Sequence, residues 1–254
     1  MPSLVWDHVV HYVNDLQQAI DSFEAIGLAA HPGGDHPGWG TYNALSHFGL
    51  TYIEFLGIRD QTELDAISSW QVVSRDAGRF LPDQQILSRL ALRTDNIEAI
   101  AESLHEQGLQ TSPILEGRRY DTEGNLIEWK MLTIDGEFNG VLYPFVIQWQ
   151  QSDDARRAAL ESKHLLQPNE SKGLALTHAI IEAEQPQALA SHWASLFKIP
   201  LSTDEKGVRL TLPNASFLFR TGPANRITDI GISTEDDELR GTTIAIGQGA
   251  YHFA

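Results

Sequence analysis

The chain has 254 residues, 18 Lys and Arg against 34 Asp and Glu, a formal net charge of −16 at pH 7, and no cysteine. Without cysteine there are no disulfides, thiolate metal sites or cysteine nucleophiles, so any metal must be held by His, Asp, Glu or neutral oxygen donors. The negative charge argues against nucleic acid and anionic membranes as partners. The lack of a leader-like start or of an apolar run near the roughly 20 residues of a membrane helix sets the expectation of a soluble cytoplasmic protein.

The first element is "LVWDHVVHYVND", residues 4 to 15, which reads as a buried strand. Side chains on a strand alternate, so His8 and His11, three positions apart, face opposite sides. In "NDLQQAIDSFEAIGLAA" the residues Leu16, Ala19, Ile20, Phe23 and Ile26 form one helical apolar face. Asn14 and Asp15 suit its start and Gly27 its end. "HPGGDHPGWG" reads as a loop carrying His31 and His36, and its glycines and Trp39 suit a lid. "WGTYNALSHF", with His47, and "TYIEFLGI", with Glu54, follow as strands. An acid inside an apolar strand calls for a partner.

The same phrase returns in "ILSRLALRTDNIEAIAESLHEQGLQ". Asn14, Gly27 and Leu28 match Asp95, Gly108 and Leu109, each shifted by 81 positions. Asp95 with Glu98 three residues on is the expected helix cap. "SPILEGRRY", "LIEWKMLTI" and "PFVIQWQ" follow as strands, with a hairpin turn at Asp121–Asn125. Arg118 and Arg119 are expected to be exposed at a strand end, with anion capture as the lesser alternative. A third copy begins at "LALTHAIIEAEQPQALASHWASLF", and the tail has strand character without a helix. A fixed offset across strand, cap and helix end indicates duplication. The expected fold is α+β, built from repeated βαβββ modules. Residues 1–150 hold a pair of modules, 151–172 a polar linker, and 173–254 a third module with a truncated tail.

Repeated βαβββ modules with "DHVV" on the first strand and "YIEF" on the fourth resemble the vicinal oxygen chelate superfamily. "DHVVHYVND", "GTYNALSHFGLTYIEFLGI" and "PFVIQW" are similar to its glyoxalase-like branch, over roughly residues 4 to 150. The resemblance implies curved mixed sheets around a cleft. It also implies a metal-dependent lyase, isomerase or dioxygenase-like enzyme acting on a small oxygen-rich substrate. Its metal ligands fall on His8 and Glu54, which are also the expected catalytic groups, with Zn, Fe, Mn or Ni as the divalent ion. His47 is a candidate supporting group beside Glu54.

The second module departs from that pattern. The 81-residue shift sets Arg89 opposite His8, and matching "YIEF" to "VIQW" sets Gln148 opposite Glu54. Arginine stays protonated and cannot ligate a metal. In the third copy His178 matches His8, but Phe217 and Phe219 stand where an acid would be needed. Asn43, Arg89, Gln148 and Trp129 are the expected substrate-binding residues, and Trp129 and Trp149 suit the walls of an apolar pocket. Two readings stay open. One is the metal-dependent enzyme. The other is a metal-free small-molecule binding protein that uses Arg89 and Glu54 in the cleft. The expected partner is a small molecule, and a homodimer could complete the site.

Overall fold

The computed structural model describes residues 3–121 and 123–254. The first module runs β1 (Val5–Tyr12), α1 (Leu16–Glu24), β2 (His31–His36), β3 (Thr41–Phe48) and β4 (Thr51–Ile58). Two helices follow, α2 (Gln61–Asp65) and α3 (Val72–Phe80). The second module is β5 (Leu87–Arg93), α4 (Ile97–Glu106), β6 (Leu115–Tyr120) and β7 (Leu126–Leu132), then the ribbon β8 (Glu137–Phe138) and β9 (Val141–Leu142), and finally β10 (Phe145–Trp149). After α5 (Asp153–Ser162) and α6 (Gln167–Glu170) comes the third module: β11 (Ala175–Ala183), α7 (Pro186–Phe197), β12 (Leu201–Asp204), β13 (Gly207–Thr211) and β14 (Ser216–Thr221). The tail adds β15 (Arg226–Ser233), β16 (Thr243–Ile246) and β17 (Gly249–Phe253).

Local chemistry explains the element ends. Asp15 caps α1 by accepting the N–H groups of Gln17 and Gln18. Asn96, the residue after the expected cap Asp95, does the same for α4 through Ala99. The segment read as a loop with a lid is instead an edge strand at His31–His36. Pro and Gly are tolerated there because an edge strand needs only one side of its hydrogen-bonding ladder. In the hairpin turn Asp121 accepts the N–H groups of Glu123 and Asn125; Thr122 lies outside the described residues.

The first two modules build one eight-stranded sheet in the order β2-β3-β4-β1-β5-β10-β7-β6. The order is palindromic about the β1–β5 seam, as a duplication requires. The sheet curls until its edges approach, and Arg119 of β6 donates to the Gly33 carbonyl of β2 at 2.6 Å. The third module and the tail build a second sheet, β12-β13-β14-β11-β15-β17-β16. Its tail lacks the helix and outer strand of a full module among the described residues. The segment 151–172, expected to be a linker, is instead helical, and α5 walls the cleft described below.

The sheets turn their convex faces and helices toward each other around one continuous apolar core. Trp6 meets Phe217 edge to face at 5.8 Å, and Phe23 meets Tyr251 at 5.2 Å. Among the described residues no helix is long and apolar enough to cross a membrane.

His11 belongs to this interior and faces away from His8. It is fully buried, with Nδ1 2.5 Å from the Tyr251 hydroxyl of the second sheet. Burial pushes its pKa down to about 4. The folded value lies below the unfolded one, so the unfolded chain binds the extra proton. The stabilising contribution is therefore complete above about pH 6.5 and is lost as pH falls toward 4. It is worth on the order of 3 kcal/mol at about 1.4 kcal/mol per unit. Thermal melts should show stability falling between pH 6.5 and 4.5, with a shallower slope in His11→Leu; an unchanged slope would count against this role.

Candidate functional site

The concave face of the first sheet encloses a cavity of about 950 Å³. His8, Asn43, Glu54 and Trp129 all line it, together with Tyr52, Phe145, Trp149, Arg119 and Arg156. His8 and Glu54 sit on the adjacent strands β1 and β4, where His8 pairs with Tyr52 and Val10 with Glu54. Their side chains converge, with His8 Nε2 3.5 Å from Glu54 Oε2. That is beyond hydrogen-bond length and leaves an approach for a third group.

Both are held from behind. His8 Nδ1 lies 2.7 Å from Asp7 Oδ1. Burial alone would raise the pKa of Asp7, but Arg156, the His8 bond and Arg93 hold its carboxyl well below the usual carboxylate range. An ionised Asp7 can only accept, so it fixes the proton on His8 Nδ1 and turns Nε2 to the cavity. Arg93 and Trp149 donate to the other Asp7 oxygen at 2.8 and 3.0 Å.

Asn43 donates to Glu54 Oε1 at 2.7 Å and lies 3.3 Å from His36 Nε2. Burial pushes the His36 pKa down to about 4, so at neutral pH the ring is uncharged and its Nε2 can accept from Asn43. His36 is anchored in turn by Thr41 at 2.9 Å. Asn43 thus reaches the cavity as the support of Glu54. A Cβ at Gly33 would fall 2.1 Å from Asn43 Oδ1, so only glycine lets β2 pass this close.

Arg89 and Gln148 do not join the site. Arg89 is fully buried: Nε donates to Asp76 on α3 at 2.7 Å, and Nη1 to the carbonyls of Ile134 at 3.2 Å and Tyr143 at 2.7 Å. The expected Arg89–Glu54 pair is therefore not formed. Gln148 turns away from the cavity and accepts the Ile97 N–H at the start of α4, at 2.8 Å. Strand register also changes the counterpart of Glu54. Val10 pairs with Glu54, whereas its repeat partner Ala91 pairs with Phe145. The true match to "YIEF" is "YPFV", and Phe145 stands where Gln148 was expected. In the second sheet the same logic pairs Ile180 with Leu218, so neither Phe217 nor Phe219 is the counterpart.

The four equivalent positions of the first sheet are thus His8, Glu54, Arg89 and Phe145. One imidazole and one carboxylate fall short of the three protein ligands of a typical catalytic metal centre. Among the described residues no group of three or more His, Asp or Glu side chains is placed to hold a metal ion. The donor set does not fit the ion that the resemblance implies.

Asp7, Arg156 and Tyr52 had no role assigned from the sequence, and Arg119 had anion capture only as the lesser alternative. Arg119 was expected at the surface but is buried in the cavity, while Arg118 is exposed. Strand alternation with Gly117, which packs on Trp129, carried that signal. For α5 the signal was Arg156, Ala159, Leu160 and Lys163 at helical spacing, all on the cavity wall.

The family model for the glyoxalase-like domain matches residues 6–197, well over half of the chain. The chain belongs to the glyoxalase-like domain family. Among solved structures this glyoxalase-like protein is similar to a hypothetical protein from Staphylococcus aureus, with 22% identity, 99% of each chain covered and a TM-score of 0.86. It is also similar to a triple mutant of 4-hydroxymandelate synthase from Streptomyces coelicolor, with 11% identity, 93% of this chain and 72% of that one covered, and a TM-score of 0.54. At these identities the likeness shows the shared vicinal oxygen chelate fold. No curated protein matches the chain.

The altered role of Arg89 is testable. Asp76→Asn should destabilise this glyoxalase-like protein by about 3–5 kcal/mol in denaturant melts, because it strands a buried guanidinium. A loss below about 1 kcal/mol would mean that Arg89 is neutralised elsewhere.

Proposed function

We propose that the cleft is the active site of an enzyme that moves a proton on a small carbonyl compound, as an isomerase or lyase, without a bound metal. The single observation that carries this reading is the Asp7–His8–Glu54 series at the wall of the cavity. Asp7 fixes the His8 tautomer, His8 Nε2 and Glu54 Oε2 point at the same space, and Asn43 restrains the other Glu54 oxygen.

In this reading Glu54 removes a proton from the carbon beside a substrate carbonyl and returns it to carbon on the other side of the enediol, while His8 Nε2, the acceptor its tautomer leaves, takes the proton of the neighbouring hydroxyl and gives it back to the oxygen where the carbonyl stood. Tyr52 stacks on His8 with ring centroids 4.5 Å apart. Burial raises its pKa well above the ordinary tyrosine value, so it remains a neutral donor for the oxygen on which charge develops. The metal-dependent and dioxygenase forms of the family expectation are set aside because Arg89 and Phe145 occupy the remaining ligand positions. The alternative binding role loses its Arg89–Glu54 pair, so simple sequestration has less support than proton transfer.

The test uses the full chain, stripped with chelator, in heavy water with a panel of small 2-oxo acids and hydroxyketones. Proton NMR should show deuterium entering beside the carbonyl of at least one compound. The rate should fall about 10²- to 10⁴-fold in Glu54→Gln, as for loss of a general base. No exchange across the panel, or exchange that appears only when metal is added, would overturn the reading.

A further inference from the structure

Charge around the cavity is unevenly matched. Arg119 is only 8% exposed. Its one bond among the described residues is to a neutral group, the Gly33 carbonyl at 2.6 Å. Neighbouring arginines have acids: the buried Arg89 has Asp76 at 2.7 Å, and the partly buried Arg93 has Asp7 at 2.8 Å and Asp153 at 2.9 Å. No such carboxylate is within ion-pair distance of Arg119 among the described residues. Glu54 and Asp121 act on it only from beyond that distance, and a buried guanidinium without a contacting counter-charge is costly and cannot escape by losing its proton. This occurs in a chain with a net charge of −16, where acids are plentiful.

Arg156 adds a second cation to the same cavity. It stacks on Trp149 at 4.2 Å from the ring centroid, and among the described residues its only acid is Asp7 at 3.5 Å, which Arg93 and Trp149 already hold. Its Nη1 is buried without a hydrogen-bond partner. His31 Nε2 and His47 Nδ1, also on the cavity wall, are buried and unpartnered among the described residues. Burial first, then Arg156, Arg119 and His31, push the His47 pKa down to about 3, so this end of the cavity is electropositive yet holds neutral imidazoles. Beside it the walls are apolar: Trp129 and Trp149 lie 5.8 Å apart, next to Phe145 and Met131.

We infer that Arg119, assisted by Arg156, is an anion-recognition subsite that receives the carboxylate of a small organic acid whose flat apolar body lies against Trp129 and Trp149. The planar guanidinium fork matches a carboxylate with two parallel hydrogen bonds, and the ligand supplies the missing counter-charge. The assignment rests on the cleft being the site of proton transfer, and it gives the substrate of that reaction its class. The anion fixes the substrate in the cleft while Glu54 and His8 address its reacting carbon.

The test is titration of the full chain with benzoate, its neutral analogue benzamide and inorganic phosphate, read by calorimetry and by the fluorescence of the cavity tryptophans. Benzoate should bind saturably and at least about tenfold more tightly than benzamide. Arg119→Gln should weaken benzoate about 10- to 100-fold, the range for losing charge-assisted bonds, and leave benzamide unchanged. Arg119→Lys, which keeps charge but loses the fork, should fall between. Should Arg119→Gln fail to fold, Arg156→Gln provides the same comparison with a smaller loss. Equal binding of benzoate and benzamide, no saturable benzoate binding, or an unaltered benzoate affinity in the Arg119 variants would overturn the assignment. Tighter binding of phosphate than of benzoate would overturn the choice of a carboxylate on an apolar body. Glu54→Gln should keep benzoate affinity while losing deuterium exchange, which separates failure of the subsite from failure of the proton-transfer reading.

Discussion

Asp7 is wholly shielded from solvent, and its two oxygens meet an imidazole, two guanidinium groups and an indole. Those partners come from β1, β5, α5 and the end of β10, so one carboxylate joins both modules to the helix that walls the cleft. A buried anion is tolerated only when its hydrogen-bonding capacity is filled. Here the filling groups also do something else: His8 is aimed at Glu54, Trp149 is fixed as a wall, and Arg156 is brought into the cavity. Removing that charge would release all three at once.

Much of the architecture was legible in the sequence. The 81-residue offset identified the duplicated strand and helix, and the palindromic sheet order is its three-dimensional form. Glu54 was legible because an apolar strand rarely holds an acid without a partner, whereas His8 was singled out by the family resemblance; both line the cavity. Gln148 misled because a local word match, "YIEF" to "VIQW", is weaker than strand register, which selects Phe145. Asp7 was hidden for a geometric reason. Simple alternation turns it away from His8, but the ladder between β1 and β5 is irregular from Trp6 to His8, and such irregularities re-aim side chains. Arg89 looked like a cleft residue by the repeat; the acid that claims it, Asp76, lies on a helix between the modules that no repeat describes.

The two halves of the molecule differ in what covers their concave faces. The helices after β4 and after β10 fold over the concave face of the first sheet and supply Val73, Ser74, Arg156 and Leu160 to the cavity wall. The second sheet has His178 at the position of His8, and a short His252–Asp229 contact of 2.5 Å on its strands, but His252 remains partly exposed to solvent. The shared convex core leaves the first concave face free to specialise.

The cleft keeps the vicinal oxygen chelate fold, and in the proposed mechanism its own residues work without the ion that the resemblance implies. The most direct measurement is elemental analysis of the full chain purified without chelator, then exposed to Zn²⁺, Fe²⁺, Mn²⁺ or Ni²⁺ and desalted, beside a His8→Ala, Glu54→Ala double variant. The metal-free mechanism requires metal far below one ion per chain, and the same in both proteins. Roughly one tightly held ion per wild-type chain, lost in the double variant, would contradict it.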